Sequence, residues 1–316
     1  MNSYESEPVR PSISARIVAA TAVLAAGATL ALAGCSASAS DSVADGRTQI
    51  VTSTNVWGDI AATVGGDAVT VHTIIGPNQD PHEYETAPAD ILAVAKADLV
   101  VYNGGHYDQF MASILKSADA AGPAIDANAL PITDRGLGGT RTADDDNEHV
   151  WFDLSTADAV AAAIADQLGA IDPANAATFT ANAENLHGQL RELADEAAAI
   201  HASGPRPVLA TEPVTHYLLA QAGIEDLTPR EFGEAVEHGS DPAPAVIAEL
   251  RTLLGSGAAA ALVYNIETES PTTESLRTTA EGDGLPVVLV SESLPDGQHY
   301  VGWVQEVLTG LGTATA

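Results

Sequence analysis

The sequence predicts an α/β protein of two lobes with mainly parallel sheets, joined by one long rigid α-helix. Two observations support this fold class. Short apolar runs alternate with helix-like segments in two successive sets, and one long amphipathic segment separates these sets. In such sheets ligands bind beyond the carboxyl ends of the strands, so we expect the functional site in the cleft between the lobes.

The first lobe is expected over residues 47–171. Within it, the pair Gly65-Gly66 ends the first helix, and Pro88 suits the first turn of the second helix. A glycine-rich and then acidic stretch over 136–148 is typical of a surface loop. The predicted strands cover 49–52, 68–75 and 98–102, and the predicted helices cover 56–64, 88–97, 108–118 and 155–168.

The segment over 172–203 predicts the helix that links the lobes. Asp172 is a favourable N-cap, and Pro173 is a favourable first residue. At about 1.5 Å per residue, such a helix spans roughly 45 Å, which is enough to bridge two lobes. A core helix of one large domain is the alternative. The apolar side chains share one helical stripe: Phe179, Leu186, Leu190, Leu193, Ala197 and Ile200.

The second lobe is expected over residues 204–316, where the alternation of strand and helix repeats. Gly223 follows its first helix as a C-terminal cap. The predicted strands cover 207–211, 259–264 and 286–290, and the predicted helices cover 214–222, 242–254, 271–280 and 300–308.

The N-terminal region indicates export and anchoring. Arg10 and Arg16 precede an uncharged apolar run over 17–33, which is typical of a signal peptide covering 1–34. The run ends in Leu32-Ala33-Gly34-Cys35, which resembles a bacterial lipoprotein box. We therefore expect cleavage before Cys35, lipidation of its sulfur and a flexible tether over 35–46. A free thiol beside an ordinary secretion site is the alternative.

The composition restricts the choice of partners. The chain carries 43 acidic and 12 basic residues, for a net charge of −31. This charge argues against nucleic acid or an anionic membrane surface as a partner and favours cationic ligands, although acidity also keeps exported proteins soluble. With a single cysteine, the chain forms neither an internal disulfide nor a zinc–thiolate cluster.

Two of the nine histidines stand in acidic motifs. His82 lies in Asp80-Pro81-His82-Glu83-Tyr84-Glu85, after a predicted strand, and His149 lies in Glu148-His149-Val150-Trp151-Phe152-Asp153. From this pattern we predict that both imidazoles bind one divalent metal ion. His106 and His216 are candidates for supporting or substitute ligands.

Three further segments complete an ordered set of motifs. They are Ala97-Asp98-Leu99-Val100-Val101-Tyr102-Asn103-Gly104, Ala210-Thr211-Glu212-Pro213 and Val290-Ser291-Glu292-Ser293-Leu294. Together with the two histidine motifs, they resemble the motifs of zinc/manganese solute-binding lipoproteins of ABC importers, over nearly all of the mature chain. The histidine-rich loop of many zinc importers is absent, and an acidic run over 144–148 stands in its place.

The resemblance implies a metal site in the interlobe cleft. Its third position often carries histidine in zinc-type members and glutamate in manganese-type members, and its fourth position usually carries aspartate. The fourth residue here is glutamate, one methylene longer, so other carboxylates are alternatives at that position. The implied ligands are His82, His149, Glu212 and Glu292. The alternatives to the last are Glu267, Glu269 and Asp296.

The implied ligand set suits one divalent transition metal ion carried as cargo. Two neutral imidazoles and two carboxylates balance the charge of a +2 ion, which favours binding in a half-buried cleft. Nitrogen and oxygen ligands without thiolate suit Mn²⁺, Zn²⁺ or Fe²⁺. Zn²⁺ binds more tightly than Mn²⁺ at a fixed site, so the ligands leave both open, with a slight preference for manganese.

The resemblance also implies the role of the protein. We expect a monomeric lipoprotein at the outer face of the cytoplasmic membrane that captures the ion, delivers it to an ABC permease and its ATPase, and catalyses no reaction. A secreted metallohydrolase, with an open metal position that activates water, is one alternative. The chain lacks a His-Glu-x-x-His pattern, which argues against it. A metal-buffering or adhesin-like surface protein is another.

Overall fold

The computed structural model describes residues 46–77, 79, 81–82, 84–118, 122–142 and 145–316. The predicted signal peptide over 1–34, the lipidation site Cys35 and the tether up to residue 45 lie outside these residues. Asp80 and Glu83 of the first histidine motif and Asp144 of the acidic run lie outside them as well. Within the described part of the chain, no helix combines the length and the apolar character that a membrane span requires.

The first lobe contains a four-stranded parallel sheet. Its strands are β1 (Thr48–Thr54), β2 (Val69–Ile75), β3 (Leu99–Tyr102) and β4 (Ala124–Asp126). Their order across the sheet is β2-β1-β3-β4. The helices of this lobe are α1 (Asn55–Gly65), α2 (Pro88–Ala95), α3 (Phe110–Ala118) and α4 (Leu154–Ile171).

The short edge strand β4 was not predicted. Its three residues are too few to show the period of two that identifies a strand in a sequence. Pairing with β3 defines it instead, with Ile125 opposite Val101 in the parallel register. This strand therefore depends on a contact with a distant segment.

The long helix α5 (Ala176–Ala202) follows α4 and contains 27 residues. The predicted start at Pro173, with Asp172 as its N-cap, is wrong. α4 continues to Ile171, so Asp172 caps its C-terminal end, and its N–H donates to the carbonyl of Leu168 at 2.7 Å. Most of the predicted apolar stripe is buried, and Ile200 is partly buried. Its buried residues are Phe179, Leu186, Leu190, Leu193 and Ala197.

The second lobe contains a three-stranded parallel sheet. Its strands, in the order β5-β6-β7, are β5 (Val208–Ala210), β6 (Ala261–Asn265) and β7 (Val287–Val290). Its helices are α6 (His216–Gln221), α7 (Arg230–Glu237), α8 (Pro244–Ser256), α9 (Pro271–Gly282) and α10 (Tyr300–Thr315). The predicted two-lobed α/β fold with parallel sheets is thus confirmed.

Helix α7 was not predicted. Its eight residues include four charged side chains, and its apolar signal is limited to Phe232 and Val236, which are buried four residues apart on one face. A single apolar pair does not distinguish a helix from a loop in the sequence. Packing against the second lobe stabilises this helix, and it positions Glu237 at the helix end.

A continuous apolar core runs through both lobes. It includes Ile50 of β1, Phe179 of α5, Val208 of β5, Val263 of β6 and Leu308 of α10, all almost fully buried. Burying a large apolar side chain contributes about 1.5–3 kcal/mol. The lobes are therefore joined by shared packing, and a wide hinge motion would expose this core.

A polar contact fixes the start of α1 to the loop that follows β7. The side-chain amide of Asn55 donates to the carbonyl of Leu294 at 2.7 Å and accepts the N–H of the same residue at 2.9 Å. Nearby, the carboxylate of Asp59 accepts the backbone N–H of Tyr300 at 2.8 Å. The pair of hydrogen bonds between Asn55 and Leu294 connects the lobes two residues beyond Glu292.

Candidate metal centre

The predicted ligands lie on loops that face the cleft. His82 follows β2, Glu212 follows β5 and Glu292 follows β7, as expected for side chains beyond the carboxyl ends of parallel strands. His149 precedes a single 3₁₀ turn over Val150–Phe152. The side chain of His82 is 18% exposed, whereas the other three residues are buried.

His149 is held in one orientation by Asn147. The Oδ1 atom of Asn147 accepts the backbone N–H of His149 at 2.9 Å and lies 3.2 Å from its Nδ1. A proton on Nδ1 would donate to this oxygen and leave the lone pair on Nε2, which faces the cleft. Burial, with smaller contributions from His82 and His216, lowers the pKa of His149 to about 3, so the imidazole is neutral at pH 7.

Three of the predicted residues converge on one point. The Nε2 atoms of His82 and His149 each lie 3.9 Å from the same oxygen of Glu292, Oε2. One potential ligand atom from each of these residues lies within 4.8 Å of the other two. Donors that share an ion at about 2 Å lie at most about 4 Å apart, and both 3.9 Å distances to Oε2 fall within this limit.

Glu212 lies next to this group across the side chain of Asn265. The Nδ2 atom of Asn265 donates to Oε1 of Glu292 at 2.8 Å and also to Oε2 of Glu212. The same Glu212 oxygen accepts the hydroxyl of Thr268. Glu212 is therefore adjacent to Glu292, although it is not one of the three residues whose ligand atoms converge.

The alternatives to Glu292 have other positions. Glu267 accepts the backbone N–H groups of Glu292 and Ser293 at 2.9 and 3.1 Å, so it holds the loop that carries Glu292. Glu269 accepts the hydroxyl of Tyr264 at 3.1 Å. Asp296 is exposed. Of these carboxylates, Glu292 is the one that converges with the two histidines.

Aromatic rings form one wall of the site. The ring of Tyr107 lies edge-on to His82 at 5.1 Å and packs against Trp151 at 4.8 Å, and Trp151 lies 5.2 Å from His149. Burial and the nearby carboxylates, chiefly Glu292, which accepts a hydrogen bond from the phenol, raise the pKa of Tyr107 well above its usual value. The phenol thus stays protonated and helps to orient Glu292.

Two carboxylates near the site were not predicted as functional. Oε1 of Glu148 lies 3.9 Å from Nδ1 of His82, and Oε1 of Glu237 lies 3.9 Å from Nε2 of His149. Burial and the neighbouring Glu237 raise the pKa of Glu148 to about 7, and burial raises that of Glu237. Glu148 directly precedes the candidate ligand His149, and this position could have identified it from the sequence. Glu237 has no such signal, because helix α7 was not predicted.

Two cavities give solvent access to the site, with volumes of about 700 and 680 Å³. Both are lined by His106, Glu148, Glu237 and His238, and the first also by His82. His106 is exposed at the cavity wall, as is His216 in the second cavity. The two candidate substitute ligands, His106 and His216, do not belong to the groups of described residues whose ligand atoms converge.

The fold and the cleft define a two-lobed α/β protein with a candidate site of histidines and carboxylates between the lobes. A family model described as zinc-uptake complex component A, periplasmic (ZnuA), matches residues 50–314. The chain belongs to this family, whose relatives include metal-binding substrate-binding lipoproteins of ABC transporters. The family resemblance inferred from the motifs is confirmed.

Curated relatives agree with this assignment. The manganese ABC transporter substrate-binding lipoprotein PsaA of Streptococcus pneumoniae is 26% identical over 235 residues, which cover 70% of this chain and 74% of PsaA. A metal ABC transporter substrate-binding lipoprotein of Lactococcus lactis is 28% identical over 179 residues, or 55% and 57% of the two chains. The chain thus spans little more than half the length of some of these relatives.

Solved structures share the fold. The periplasmic zinc-binding protein TroA of Treponema pallidum matches with a TM-score of 0.69 at 20% identity, covering 85% of this chain and 99% of TroA. The substrate-binding protein FpvC of Pseudomonas aeruginosa, solved in complex with Mn²⁺, matches with a TM-score of 0.68 at 25% identity, covering 85% and 98%.

Proposed function

We propose that this protein captures a divalent transition metal ion between its lobes and delivers it to an ABC permease. The observation that carries the proposal is the shared carboxylate oxygen: Nε2 of His82 and Nε2 of His149 lie at the same distance from Oε2 of Glu292. Of these three converging residues, two belong to the first lobe and one to the second. An ion bound there would join the lobes, and its release would require a change between them.

The proposed ligands are His82, His149, Glu212 and Glu292. Glu212 would complete the set by turning from Asn265 and Thr268 toward the ion, since it is already next to Glu292. Two neutral imidazoles and two carboxylates then balance the ion's charge in a buried site. Carboxylates bind through one or both oxygens, so the set accommodates four to six bonds.

The proposed cargo is Mn²⁺ or Zn²⁺, with Fe²⁺ as a further candidate. The names of relatives specify manganese for PsaA and iron for MtsA of Streptococcus pyogenes, and FpvC was solved with Mn²⁺ or Ni²⁺. Nitrogen and oxygen ligands suit all of these ions, and at a fixed site Zn²⁺ binds more tightly than Mn²⁺. Glutamate rather than histidine at position 212 supports a preference for manganese among the cargo ions.

Delivery requires the protein to stay near its transporter. We propose that cleavage before Cys35 and lipidation of its sulfur hold the protein at the outer face of the cytoplasmic membrane, as a monomer on a flexible tether. The partners are a permease and its ATPase, and the protein catalyses no reaction. Because an apolar core joins the lobes, release would come from loosening the second lobe's carboxylates on docking rather than from wide opening.

Calorimetric titration of variants tests the binding site. His82→Ala or His149→Ala should each weaken Mn²⁺ and Zn²⁺ binding by more than roughly 100-fold, since loss of an outer partner alone costs 10–100-fold. His106→Ala is the matched control, because this exposed histidine lines the same cavities without converging on Glu292. Unchanged affinity in both site variants would rule out the proposed site.

A further inference from the structure

We propose that the cleft contains a second cation position, outside the first, that loads the inner site. It consists of Nδ1 of His82 with the carboxylates of Glu148 and Glu237, and it takes the same divalent transition metal ions. This inference rests on the proposed function, because it assigns the route by which the ion reaches its carrier site.

The first argument is geometric. His82, Glu148 and Glu237 form a second group whose ligand atoms all lie within 4.8 Å of one another. Nδ1 of His82 is 3.9 Å from Glu148, whereas Nε2 of the same ring is 3.9 Å from Glu292. The two nitrogens of this imidazole therefore face different carboxylates, Glu148 and Glu292, while Glu237 also lies 3.9 Å from Nε2 of His149.

The second argument is an unsatisfied buried oxygen. Glu148 is only 9% exposed, and its Oε2 atom has no hydrogen-bond partner among the described residues. The carboxylate accepts the backbone N–H of His106, which holds it in place. A buried carboxylate oxygen without a partner is costly, and a cation is the ligand that would satisfy it next to a second carboxylate.

The third argument is the order of access from solvent. Glu148 and Glu237 line both cavities, whereas His149 and Glu292 are 1% and 2% exposed behind them. Glu148 belongs to the first lobe and Glu237 to α7 of the second, so the outer position also spans the lobes. An ion that enters through either cavity passes along a wall that includes these carboxylates, whereas His149 and Glu292 line neither cavity.

The two positions are occupied in turn. A neutral imidazole offers one lone pair, so His82 binds one ion at a time. When an ion moves from the Nδ1 side to the Nε2 side, the ring loses its proton from Nε2 to water and gains one on Nδ1. Proton number and charge are unchanged, and the protein holds one ion throughout.

The rate of metal association tests the loading role. The probe is MnCl₂ or ZnCl₂ in stopped flow, followed by tryptophan fluorescence, because Trp151 lies 5.2 Å from His149. The double variant Glu148→Gln/Glu237→Gln should bind about 10-fold more slowly, within the range by which charged clefts change association rates. Asp146→Asn/Glu234→Gln is the matched control: it removes two exposed carboxylates at the same cavity that pair with Arg230, and it should change the rate less than about 2-fold.

Residual binding gives an independent readout. In His149→Ala/Glu292→Gln, which disables the inner position, one equivalent of Mn²⁺ or Zn²⁺ should still bind weakly. Adding Glu148→Gln/Glu237→Gln should abolish this binding, while circular dichroism confirms that the variants are folded. Absence of residual binding in the first variant, or equal association rates in the loading variant and its control, would overturn the inference. Normal binding by both His82→Ala and His149→Ala would instead overturn the carrier site itself.

Discussion

Asn265 is the residue on which the second lobe's contribution to the site depends. One side-chain amide nitrogen donates to both Glu212 and Glu292, so a neutral group holds two buried carboxylates side by side. Hydrogen bonds to charged groups contribute about 1.5–3 kcal/mol each, and loss of such a partner changes metal affinity. The amide thus prepares the carboxylates for a cation without neutralising them.

Replacing Asn265 tests this role. Asn265→Ala should weaken Mn²⁺ and Zn²⁺ binding by about 10–100-fold, because both carboxylates lose the donor that orients them. Thr268→Ala should have a smaller effect, since Thr268 donates to Glu212 alone. Calorimetric titration of the two variants measures the difference. Equal effects would show that Asn265 does not orient Glu292.

Glu148 should give the metal-free protein a pH-dependent stability. Its pKa is raised to about 7 by burial and by Glu237, so between about pH 4.5 and 7 the folded protein binds more protons at this site than the unfolded chain. This carboxyl therefore destabilises the fold as pH rises through that window. Glutamine does not titrate, so Glu148→Gln should gain in Tm relative to the wild type between pH 5 and 7.5, measured in chelator. A Tm difference that is constant with pH would contradict the raised pKa.

At the residue scale, the sequence predicts those site residues that carry a local motif. His82 and His149 stand in acidic loops that are visible without a structure, and Glu292 follows a clear strand. Glu237 and Asn265 were not predicted, because their place in the site depends on how α7 and β6 meet distant loops. No pattern in neighbouring residues encodes such contacts.

Among the elements, the start of α1 and the loop after β7 form a polar connection between the lobes close to the site. The amide of Asn55 makes two hydrogen bonds to the backbone of Leu294, across a sequence separation of 239 residues. Because Leu294 is two residues from Glu292, this contact limits how far the second lobe's carboxylate moves away from the histidines of the first lobe.

Loss of the Asn55 contact should therefore accelerate metal release. Asn55→Ala should lower the free energy of unfolding by about 1–3 kcal/mol, since a half-buried carbonyl and N–H lose their partners. It should also increase the rate of metal dissociation, measured by transfer to a chromogenic chelator. Asn182→Ala is the control, because that amide donates to the carbonyl of Val64 on another surface of α1. It should lower stability with no change in dissociation rate; equal rates in both variants would contradict the role of the contact.

Elements with a long or strong apolar pattern were predicted, and short ones were not. The stripe on α5 identifies the helix, but its start was misplaced because α4 extends to Ile171 and uses Asp172 as its cap. β4 has three residues, and α7 has one buried apolar pair. These short elements are stabilised by tertiary contacts, which local propensity does not reveal.

For the whole molecule, the alternation of strands and helices predicts two parallel sheets, and both are present. The continuous apolar core was not predicted, because a sequence shows which side chains are apolar but not which sheets share them. This core joins the two lobes into one stiff frame, so we expect any change at the cleft on metal binding to be small. The net charge of −31 adds a long-range attraction for cations to this frame, which salt weakens.

The central claim is that one ion is bound by side chains of both lobes. A crystal structure of the Mn²⁺- or Zn²⁺-loaded protein, with anomalous scattering at the metal edge, tests this most directly. We predict one strong peak within about 2.0–2.3 Å of Nε2 of His82, Nε2 of His149 and a carboxylate oxygen of Glu292, with Glu212 turned toward it. A peak bound by residues of a single lobe, or a peak away from both imidazoles, would contradict the account.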